Sequence, residues 1–342
     1  MDYFLPKISI IFAMLNGEKF LNRCLDSIRN LSNVNEIEIV IINNNSADNS
    51  LEIIQTYENE LNINIINLEK NVGYAKASNL GVKNSKGEFI FITNVDVIYP
   101  TPDFFQKLLK IYNNYKQDQE IIISPAIVFE GDGIHYFGAK NHILGFSYTK
   151  DVHKKLPERK IIKMTQRASG GSLFMKKSPF IELGGYDNLF FIYYDDTDFS
   201  LRWLRNGNVI YTTNDPFIIH QQHKMTFSDF KYYLLERNRF LLFFKNIDGF
   251  KKLIPFFLIL EMIISFHSIL IKKFRFRIRV YYELISHRKY IKNIRKESRK
   301  KGSLLNFNQL SRKLDPILIG DLKNEKLYYN LLKIFNILLK WI

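Results

Sequence analysis

The stretch ISIIFAMLNGEKFLNRCLDSIRNLSNVNEIEIVIINNNS, residues 8–46, alternates two hydrophobic periods. Its two apolar runs have the length of buried strands, and the segment between them repeats apolar residues at helical spacing. The alternation continues to residue 93 and predicts strands Ile8–Ala13, Ile37–Ile42, Ile63–Leu68 and Phe89–Thr93, with helices Glu18–Leu31, Leu51–Tyr57 and Gly73–Asn84. Because strands that alternate with helices form βαβ units, we predict an α/β fold with a mainly parallel sheet.

Polar residues gather where these predicted strands end, at Asn16, at residues 43–48 and at Asn94 and Asp96. Ligands of such sheets bind beyond the carboxyl ends of the strands. Asn94 and Asp96 are two residues apart in a strand-like run, which would turn both side chains to one face. A divalent cation with phosphate oxygens in its shell needs only one or two protein carboxylates. The alternative is an Asx-turn that ends the strand.

The segment FFIYYDDTD, residues 190–198, places three carboxylates directly after an aromatic run. Lost hydration and mutual repulsion among Asp195, Asp196 and Asp198 predict that at least one pKa is raised, which suits a general base. The alternative is capping of a following helix, whose N-terminus favours acidic side chains.

The composition is that of a globular protein, with 46% hydrophobic and 24% charged residues. A single cysteine, Cys24, excludes an intrachain disulfide and a cysteine-based zinc site, and it indicates a reducing compartment. Cys24 lies in a helical apolar pattern, which predicts a core position.

The start of the chain lacks the basic region of a secretory signal, so we expect a cytosolic protein or one on the cytoplasmic face of the cell membrane. Three histidines at 135, 142 and 153 lack ligand-like spacing and are expected to be exposed loop residues.

The net charge of +15 is concentrated near the C-terminus. Between Lys272 and Lys301 the sequence contains thirteen Lys or Arg residues and only two Glu residues. This tract follows the apolar run Leu253–Ile271, whose only charge is Glu261. An apolar run followed by a basic cluster favours binding to an anionic membrane surface. Nucleic-acid binding and a solvated helical face are the alternatives. We therefore expect a catalytic domain at 1–225 and a helical, membrane-associating region at 226–342.

Within that region a helix lying in the membrane interface is expected, because a spanning helix would bury Glu261 in hydrocarbon. Such a helix would turn Glu261 and His267 toward water. A membrane span and burial against the catalytic domain are the alternatives.

Five motifs, taken together, resemble the family-2 inverting nucleotide-sugar glycosyltransferases, and most closely their rhamnosyltransferase-like and galactofuranosyltransferase-like branch. The resemblance covers about residues 7–245. The motifs are NVGYAKASNLG at 71–81, TNVDV at 93–97, SGGS at 169–172, GGYD at 184–187 with YDDTD at 194–198, and RNR at 237–239. It implies the GT-A (Rossmann-like) fold, a nucleotide-sugar donor and an acceptor that is a glycan or lipid-linked glycan.

The resemblance also implies roles for individual residues. Asp196 would take the proton of the acceptor hydroxyl, and Asp96 with His220 would hold Mn²⁺ or Mg²⁺, with Asn94 at or near its shell. His223 is the alternative to His220. Residues placed to bind the nucleotide part of the donor are Ala13, Asn16, Glu18, Asn43, Asn45 and Lys76, of which Lys76 is equally explained as a solvated residue. The sugar and acceptor pocket would include Gly170, Gly171, Tyr194 and Asp195.

The sequence departs from the family pattern at two positions. Asn43 stands where the family usually has an acid that contacts the base, and Asp195 replaces the Glu of the usual Glu-Asp pair. Two other classes of function remain open: a nucleotidyltransferase, and a non-catalytic nucleotide-sugar-binding or membrane adaptor protein. The first alternative lacks support at residues 15–18, where no glycine-rich phosphate loop with basic residues is found.

Overall fold

The computed structural model describes residues 7–149, 151–221, 228–247 and 250–300. The chain divides into two compact units, one built from residues up to 139 together with 149–225, the other from 140–148 together with the residues after 225. The second unit thus includes a short segment, 140–148, that sequence analysis assigned to the first domain.

The first unit is built around one mixed sheet with helices on both faces. The strands are β1 Ile8–Met14, β2 Ile37–Asn43, β3 Ile63–Asn67, β4 Phe89–Thr93, β5 Val97–Ile98, β6 Ile121–Phe129, β7 Gly133–Tyr136, β8 Ala139–Asn141, β9 Ser147–Thr149, β10 Ile162–Met164, β11 Ser172–Lys176 and β12 Val209–His220. The short pair β8 and β9 lies largely in segment 140–148 of the second unit, and the other strands belong to the first unit. Its helices are α1 Glu18–Arg29, α2 Ser50–Gln55, α3 Tyr74–Asn84, α4 Phe104–Tyr115, α5 Lys177–Glu182 and α6 Asp195–Arg205. The seven elements predicted up to residue 93 are therefore present, with ends shifted by a residue or two.

The main path of the sheet has the order β10-β12-β6-β11-β4-β1-β2-β3, with β5 paired to β12 and β7 paired to β6. Strands β3, β2, β1 and β4 are parallel, as predicted. Strand β11 runs antiparallel to β4 and β6, whereas β12 and β6 are again parallel to each other. The longest ladders are parallel, and the carboxyl ends of β1, β2 and β4 lie along one edge of the sheet.

The core of this unit lies on both faces of the sheet, as the alternation in β1 shows. Ile8, Ile10, Phe12 and Met14 pack into one cluster with α1, and Ile11 packs into the other cluster with Val82 of α3. Cys24 is fully buried in the first cluster, as expected from its spacing. Because both faces are covered, the central strands are mostly apolar, and the buried Glu38 of β2 accepts from the hydroxyl of Ser9 on β1. Further polar side chains collect at the strand ends.

The second unit is helical, as expected for the C-terminal region. Its helices are α7 Asp229–Asn246, α8 Phe250–Leu270, α9 Phe274–Ser286 and α10 Arg288–Lys300. Segment 140–148 packs on α7 so closely that a Cβ atom at Gly145 would lie 2.7 Å from the carbonyl oxygen of Arg239. Gly145 also has φ +85°, a conformation that glycine adopts readily.

Helix α8 carries the expected apolar run, but its charged residue does not face water. Glu261 and His267 are each 6% exposed. The Glu261 carboxylate forms ion pairs with the buried guanidinium groups of Arg239 on α7 and Arg277 on α9. The expectation that Glu261 and His267 turn toward water is wrong, because two arginines distant in sequence compensate the buried carboxylate.

Within the described part of the chain, one helix, over Lys251–Leu270, is long and apolar enough to cross a membrane. This result rests on length and composition alone, and the core helices of soluble proteins meet the same two criteria.

Candidate active site

Two loops that follow β1 and β2 are joined by a set of hydrogen bonds at the carboxyl edge of the sheet. The N–H of Gly17 donates to Oγ of Ser50 at 2.8 Å, and the N–H of Glu18 donates to Oδ2 of Asp48 at 3.0 Å. Oδ1 of Asn16 accepts from the N–H of Ala47 at 2.9 Å. The Glu18 carboxylate accepts from the N–H of Asn49 at 3.2 Å and from its side-chain amide at 3.0 Å. The side chains of Asn16 and Glu18, predicted to contact the nucleotide, therefore also hold the two loops together.

Asn43 ends β2 at the same edge and is buried. Its amide nitrogen donates to Oδ1 of Asn67 at 2.9 Å, and its amide oxygen accepts from the N–H of Ser46 at 3.0 Å. One lone pair of that oxygen is left for a ligand donor. Asn45 is exposed and has φ +70°, and Ala13 is half-buried near the end of β1.

The metal residues predicted from sequence lie together. Asp96 follows β4, and His220 ends β12, which pairs with β5 through His220 and Val97. Nε2 of His220 is 3.2 Å from Oδ2 of Asp96. Asn94 and Asp96 do not alternate on a strand as expected, because β4 ends at Thr93 and residues 94–96 form the turn to β5. That turn gives Asn94 a different neighbour: its Nδ2 would lie 3.2 Å from a Cβ atom at Gly171.

The Asp96 and His220 pair fits a divalent cation. Among the described residues, Oδ1 of Asp96 is buried and has no hydrogen-bond partner. No group of three or more His, Cys, Asp or Glu side chains suited to a metal occurs in the described ranges. Two protein ligands suffice where substrate phosphate oxygens complete the shell, and imidazole favours Mn²⁺ over Mg²⁺. The alternative ligand His223 lies outside the described residues.

One further histidine lies beside this pair. The ring of His135 is 5.3 Å from the ring of His220. It is half-buried, and His142 is fully buried, so the expectation of exposed loop residues fits only His153.

Asp196 lies in the first turn of α6 and is anchored by the glycine pair. Its Oδ2 accepts from the N–H of Gly170 at 3.0 Å, and the carbonyl of Gly170 accepts from the hydroxyl of Tyr74 at 2.7 Å. The carbonyl of Gly171 accepts from Thr93 Oγ1 at 2.8 Å. The glycine pair therefore connects the end of β4, the start of α3 and Asp196.

The three clustered carboxylates have three different environments. Asp195 is buried, and burial together with the charge of Asp196 raises the pKa of its carboxyl well above the usual range. Asp198 forms an ion pair with Arg202 at 2.8 Å. The pKa elevation predicted from sequence thus occurs at Asp195. The cap position of α6 is Tyr194 and not an acid, whereas Asp195, Asp196 and Asp198 lie in the first turn, where the helix dipole favours acidic side chains, as the alternative from the sequence expected.

The loop before α6 holds three non-glycine residues at positive φ: Phe191, Tyr193 and Tyr194. Its position is fixed by the start of α3, where the N–H of Ala75 donates to the Phe191 carbonyl at 3.0 Å. Gly73 has φ +85°, and a Cβ atom there would lie 2.5 Å from Cδ2 of Phe191. Strained backbone of this kind, held by its surroundings, is a frequent property of functional loops.

Sequence reasoning missed two residues of this site. Tyr74 connects α3 to Gly170, and Arg167 is close enough for its positive charge to counteract the pKa elevation of Asp195. Tyr74 lies inside the motif 71–81, which was its signal, whereas nothing in the sequence distinguished Arg167. Lys76 is exposed on the first two turns of α3.

The fold and the site together define a GT-A-like α/β domain whose acidic side chains lie at the carboxyl edge of the sheet. The family model described as "Glycosyl transferase family 2" matches residues 9–183, just over half of the chain. The chain belongs to glycosyl transferase family 2.

Curated relatives match over parts of their length. Glycosyltransferase GlyA of Streptococcus pneumoniae is 35% identical over 150 residues, covering 43% of this chain and 20% of that protein. A dolichyl N-acetyl-alpha-D-glucosaminyl phosphate 3-beta-D-2,3-diacetamido-2,3-dideoxy-beta-D-glucuronosyltransferase of Methanococcus voltae is 27% identical over 223 residues, covering 60% of this chain and 64% of that protein. The chain therefore spans from about a fifth to just under two thirds of these relatives.

Solved structures show the same fold. TarS of S. aureus in complex with UDP-GlcNAc superposes with a TM-score of 0.52 at 18% identity, covering 71% of this chain and 67% of that one. GalNAc-T7 with UDP, GalNAc and Mn²⁺ gives a TM-score of 0.57 at 17% identity, covering 73% of this chain and 50% of that one. At these identities the likeness shows the fold alone.

Proposed function

We propose that this protein transfers a sugar, with inversion, from a nucleoside-diphosphate sugar to a hydroxyl group of a growing cell-surface glycan. The observation that carries the proposal is the connection of Asp196 through Gly170 and Gly171 to Thr93 at the end of β4, three residues before Asp96. A proton acceptor is thus tied by hydrogen bonds to the strand that leads into the candidate cation-binding pair Asp96 and His220. The donor is a UDP-sugar or a dTDP-rhamnose-like sugar.

Asp196 is the general base of this mechanism. Its carboxylate faces the glycine pair, and its Oδ2 is oriented by the Gly170 N–H, so it can accept the acceptor hydroxyl proton as that oxygen attacks the anomeric carbon. The other two acids are less suited. Asp198 is paired to Arg202, and burial raises the pKa of Asp195 so far that its carboxyl favours the neutral form, which does not accept a proton. With one positioned carboxylate, direct displacement and inversion are favoured over a double displacement, which needs a second carboxylate as nucleophile.

Asp96 and His220 would hold Mn²⁺ or Mg²⁺, which when bound neutralises the charge that develops on the diphosphate leaving group. The support is the unpartnered Oδ1 of Asp96, within the described residues, beside a histidine nitrogen. Asn43 and the joined loops at residues 16–18 and 45–50 would receive the nucleoside, with the free lone pair of the Asn43 amide oxygen accepting from the base. Gly170, Gly171 and Tyr194 would contact the sugar and the acceptor.

The acceptor class is proposed from the relatives. One relative is named poly(ribitol-phosphate) beta-N-acetylglucosaminyltransferase TarS of Staphylococcus aureus. The name of the Methanococcus voltae relative given above begins with dolichyl N-acetyl-alpha-D-glucosaminyl phosphate. These names support a cell-surface or lipid-linked glycan as acceptor. Among the two donor types, the structures of TarS with UDP and with UDP-GlcNAc favour UDP-sugars.

A panel of nucleotide sugars tests the proposal. The full chain is incubated with each donor, Mn²⁺ and lipid-linked glycan acceptors, and both nucleoside diphosphate and pyrophosphate are measured. We expect nucleoside diphosphate with one donor class and a product of inverted anomeric configuration by NMR. Pyrophosphate release would identify a nucleotidyltransferase instead. If no nucleotide sugar raised the thermal stability of the protein, a non-catalytic adaptor would be favoured, since a bound ligand must stabilise the folded state.

A further inference from the structure

Helix α8 has two apolar faces, and one of them is exposed. The buried face packs inside the helical unit and includes Leu253, Phe257, Leu260 and Ile264. The exposed side chains recur at three- or four-residue intervals up to Ile269, within an arc of roughly 120° on the opposite side. They are Ile254, Leu258, Met262, Phe266 and Ile269, and the adjoining Leu270 is also exposed. We call this set the α8 stripe.

Helix α9 repeats the pattern. Its buried face carries Arg277 and Val280, and four large apolar or aromatic side chains are exposed at similar spacing. They are Phe274, Ile278, Tyr282 and Ile285, which we call the α9 stripe. Single exposed apolar side chains are ordinary on protein surfaces, whereas contiguous rows on consecutive helices mark an interaction surface.

The charges exposed on helices α8 to α10 are almost all positive. From residue 251 to 297 nine lysines and arginines are exposed: Lys251, Lys252, Lys272, Arg275, Arg279, Arg288, Lys289, Lys292 and Lys296. Over the same range Glu297 is the one exposed acid, because Glu261 is buried and Glu283 is half-buried near Arg237 and Arg279. Two of the basic residues counted in the sequence are unavailable, since Arg277 and Arg295 are buried.

A membrane span by α8 conflicts with the ion pairs of the unit. Glu261 pairs with Arg239 and Arg277, and Arg277 also pairs with Glu236 at 2.7 Å. Inserting α8 across a bilayer would separate these charges or draw α9, with its three alternating arginines, into hydrocarbon. Either outcome leaves charge without compensation in an apolar medium. Lying flat keeps the ion pairs and buries only the stripe.

We propose that the α8 stripe and the α9 stripe form a docking surface for an anionic lipid bilayer, which they enter from one side without crossing it. The apolar side chains insert to the level of the acyl chains, and the exposed lysines and arginines contact the phosphate groups of anionic lipids. Because anionic lipids are enriched in the cytoplasmic leaflet, the proposal includes binding at the cytoplasmic face of the cell membrane. The docking surface is independent of sugar transfer, because no residue of the proposed active site contributes to it.

Vesicle flotation with the full chain tests the surface. The probes are vesicles of phosphatidylcholine alone and of phosphatidylcholine with phosphatidylglycerol, each at low and high salt. We expect binding to the anionic vesicles at low salt, and weakening by high salt. The double variant Leu258→Gln with Met262→Gln should lower the partition coefficient about tenfold or more, because two large apolar side chains no longer insert.

A matched control exists in the first unit. Met164 and Ile181 are 68% and 52% exposed, against 65% for Met262 and 55% for Leu258. Met164→Gln with Ile181→Gln removes similar exposed apolar surface away from the stripes, and it should bind vesicles as the wild type does. The triple variant Lys289→Gln, Lys292→Gln and Lys296→Gln should bind anionic vesicles about tenfold more weakly at low salt. Its salt dependence should be weaker than that of the wild type by about a third, because six of the nine exposed basic residues remain.

Several results would overturn the proposal. Absence of wild-type binding to anionic vesicles at low salt would do so, as would equal binding by the Leu258 and Met262 double variant. Retention through carbonate extraction would identify a true span. Light scattering gives a further outcome: a wild-type dimer that the double variant converts to monomer, with no vesicle binding by either, would assign the stripes to a second copy of the chain.

Discussion

Replacing Asp196 by asparagine separates its proton-accepting role from its structural role. The carboxylate accepts one backbone hydrogen bond, from the N–H of Gly170 at 3.0 Å. An asparagine of nearly equal volume offers an amide oxygen for the same bond, so the glycine pair and the start of α6 should keep their positions. What is lost is the ability to take a proton. A general base typically contributes a factor of about 10² to 10⁴ in rate, or about 2.7 to 5.5 kcal/mol in the activation free energy.

Asp195 provides the matched control, one residue away. Its carboxyl is buried with a raised pKa, which favours the neutral acid. Asparagine preserves a neutral polar group of that size, so Asp195→Asn should change the rate by less than about threefold. The assay is the initial rate of nucleoside diphosphate release at saturating donor, together with donor affinity by calorimetry. Asp196→Asn should lose rate and keep donor affinity. A loss under about tenfold, or an equal loss in Asp195→Asn, would refute the assignment of the base.

The variant Asp195→Asn should also change how the stability of the folded protein depends on pH. An unfolded Asp titrates near pH 3.9, and the folded pKa of Asp195 lies well above that. Between these two values the native state binds more protons than the unfolded state, so stability falls as pH rises. Asp195→Asn should remove that part of the decline in urea unfolding free energy measured across the acidic to neutral range. An unchanged pH profile would show that Asp195 is ionised in the native protein.

Three further perturbations have defined outcomes. Asp96→Ala should abolish the Mn²⁺ dependence of donor binding in calorimetry, and equal donor affinity with and without Mn²⁺ in the wild type would contradict the metal assignment. Glu261→Gln should destabilise the helical unit by about 3–5 kcal/mol in denaturant unfolding, because two buried arginines lose a charged partner; a change under 1 kcal/mol would contradict this. Gly73→Ala should lower activity by displacing Phe191, while Gly131→Ala, with a similar positive φ and no atom within 4 Å of the added Cβ, should leave activity unchanged.

The first half of the fold was predictable because local pattern and tertiary position agree there. Strands β1, β2 and β4 are buried on both faces, the edge strand β3 is partly buried, and each helix between them carries one apolar side. Antiparallel β11 was not predictable as a partner of β4, because strand order depends on contacts between residues about eighty positions apart. The short strands between residues 133 and 164 were not predicted for a different reason: their runs are too brief to show a period.

The sequence predicted which candidate residues would lie close together, but it did not predict their geometry in detail. The sequence indicated Asp96, His220, Asp196 and the glycine pair, and the structure places Asp96 beside His220 and Asp196 beside Gly170. It did not indicate how the acids differ, because burial of Asp195 depends on residues packed around α6. The turn at 94–96 was read as strand, since apolar Val95 between two polar residues has the same pattern in both conformations.

Glu261 shows most clearly what a sequence pattern leaves undecided. A lone carboxylate in a nineteen-residue apolar run avoids a large desolvation cost in one of two ways: it faces water, or it pairs with buried cations. Hydropathy cannot choose between them, because the compensating arginines lie 22 residues before and 16 residues after it. The structure adopts the second solution, and this changes which side of α8 is available. With the charged side turned inward and paired, the side left outside is entirely apolar from Ile254 to Ile269, so the exposed surface is better suited to a bilayer than the one expected from the sequence.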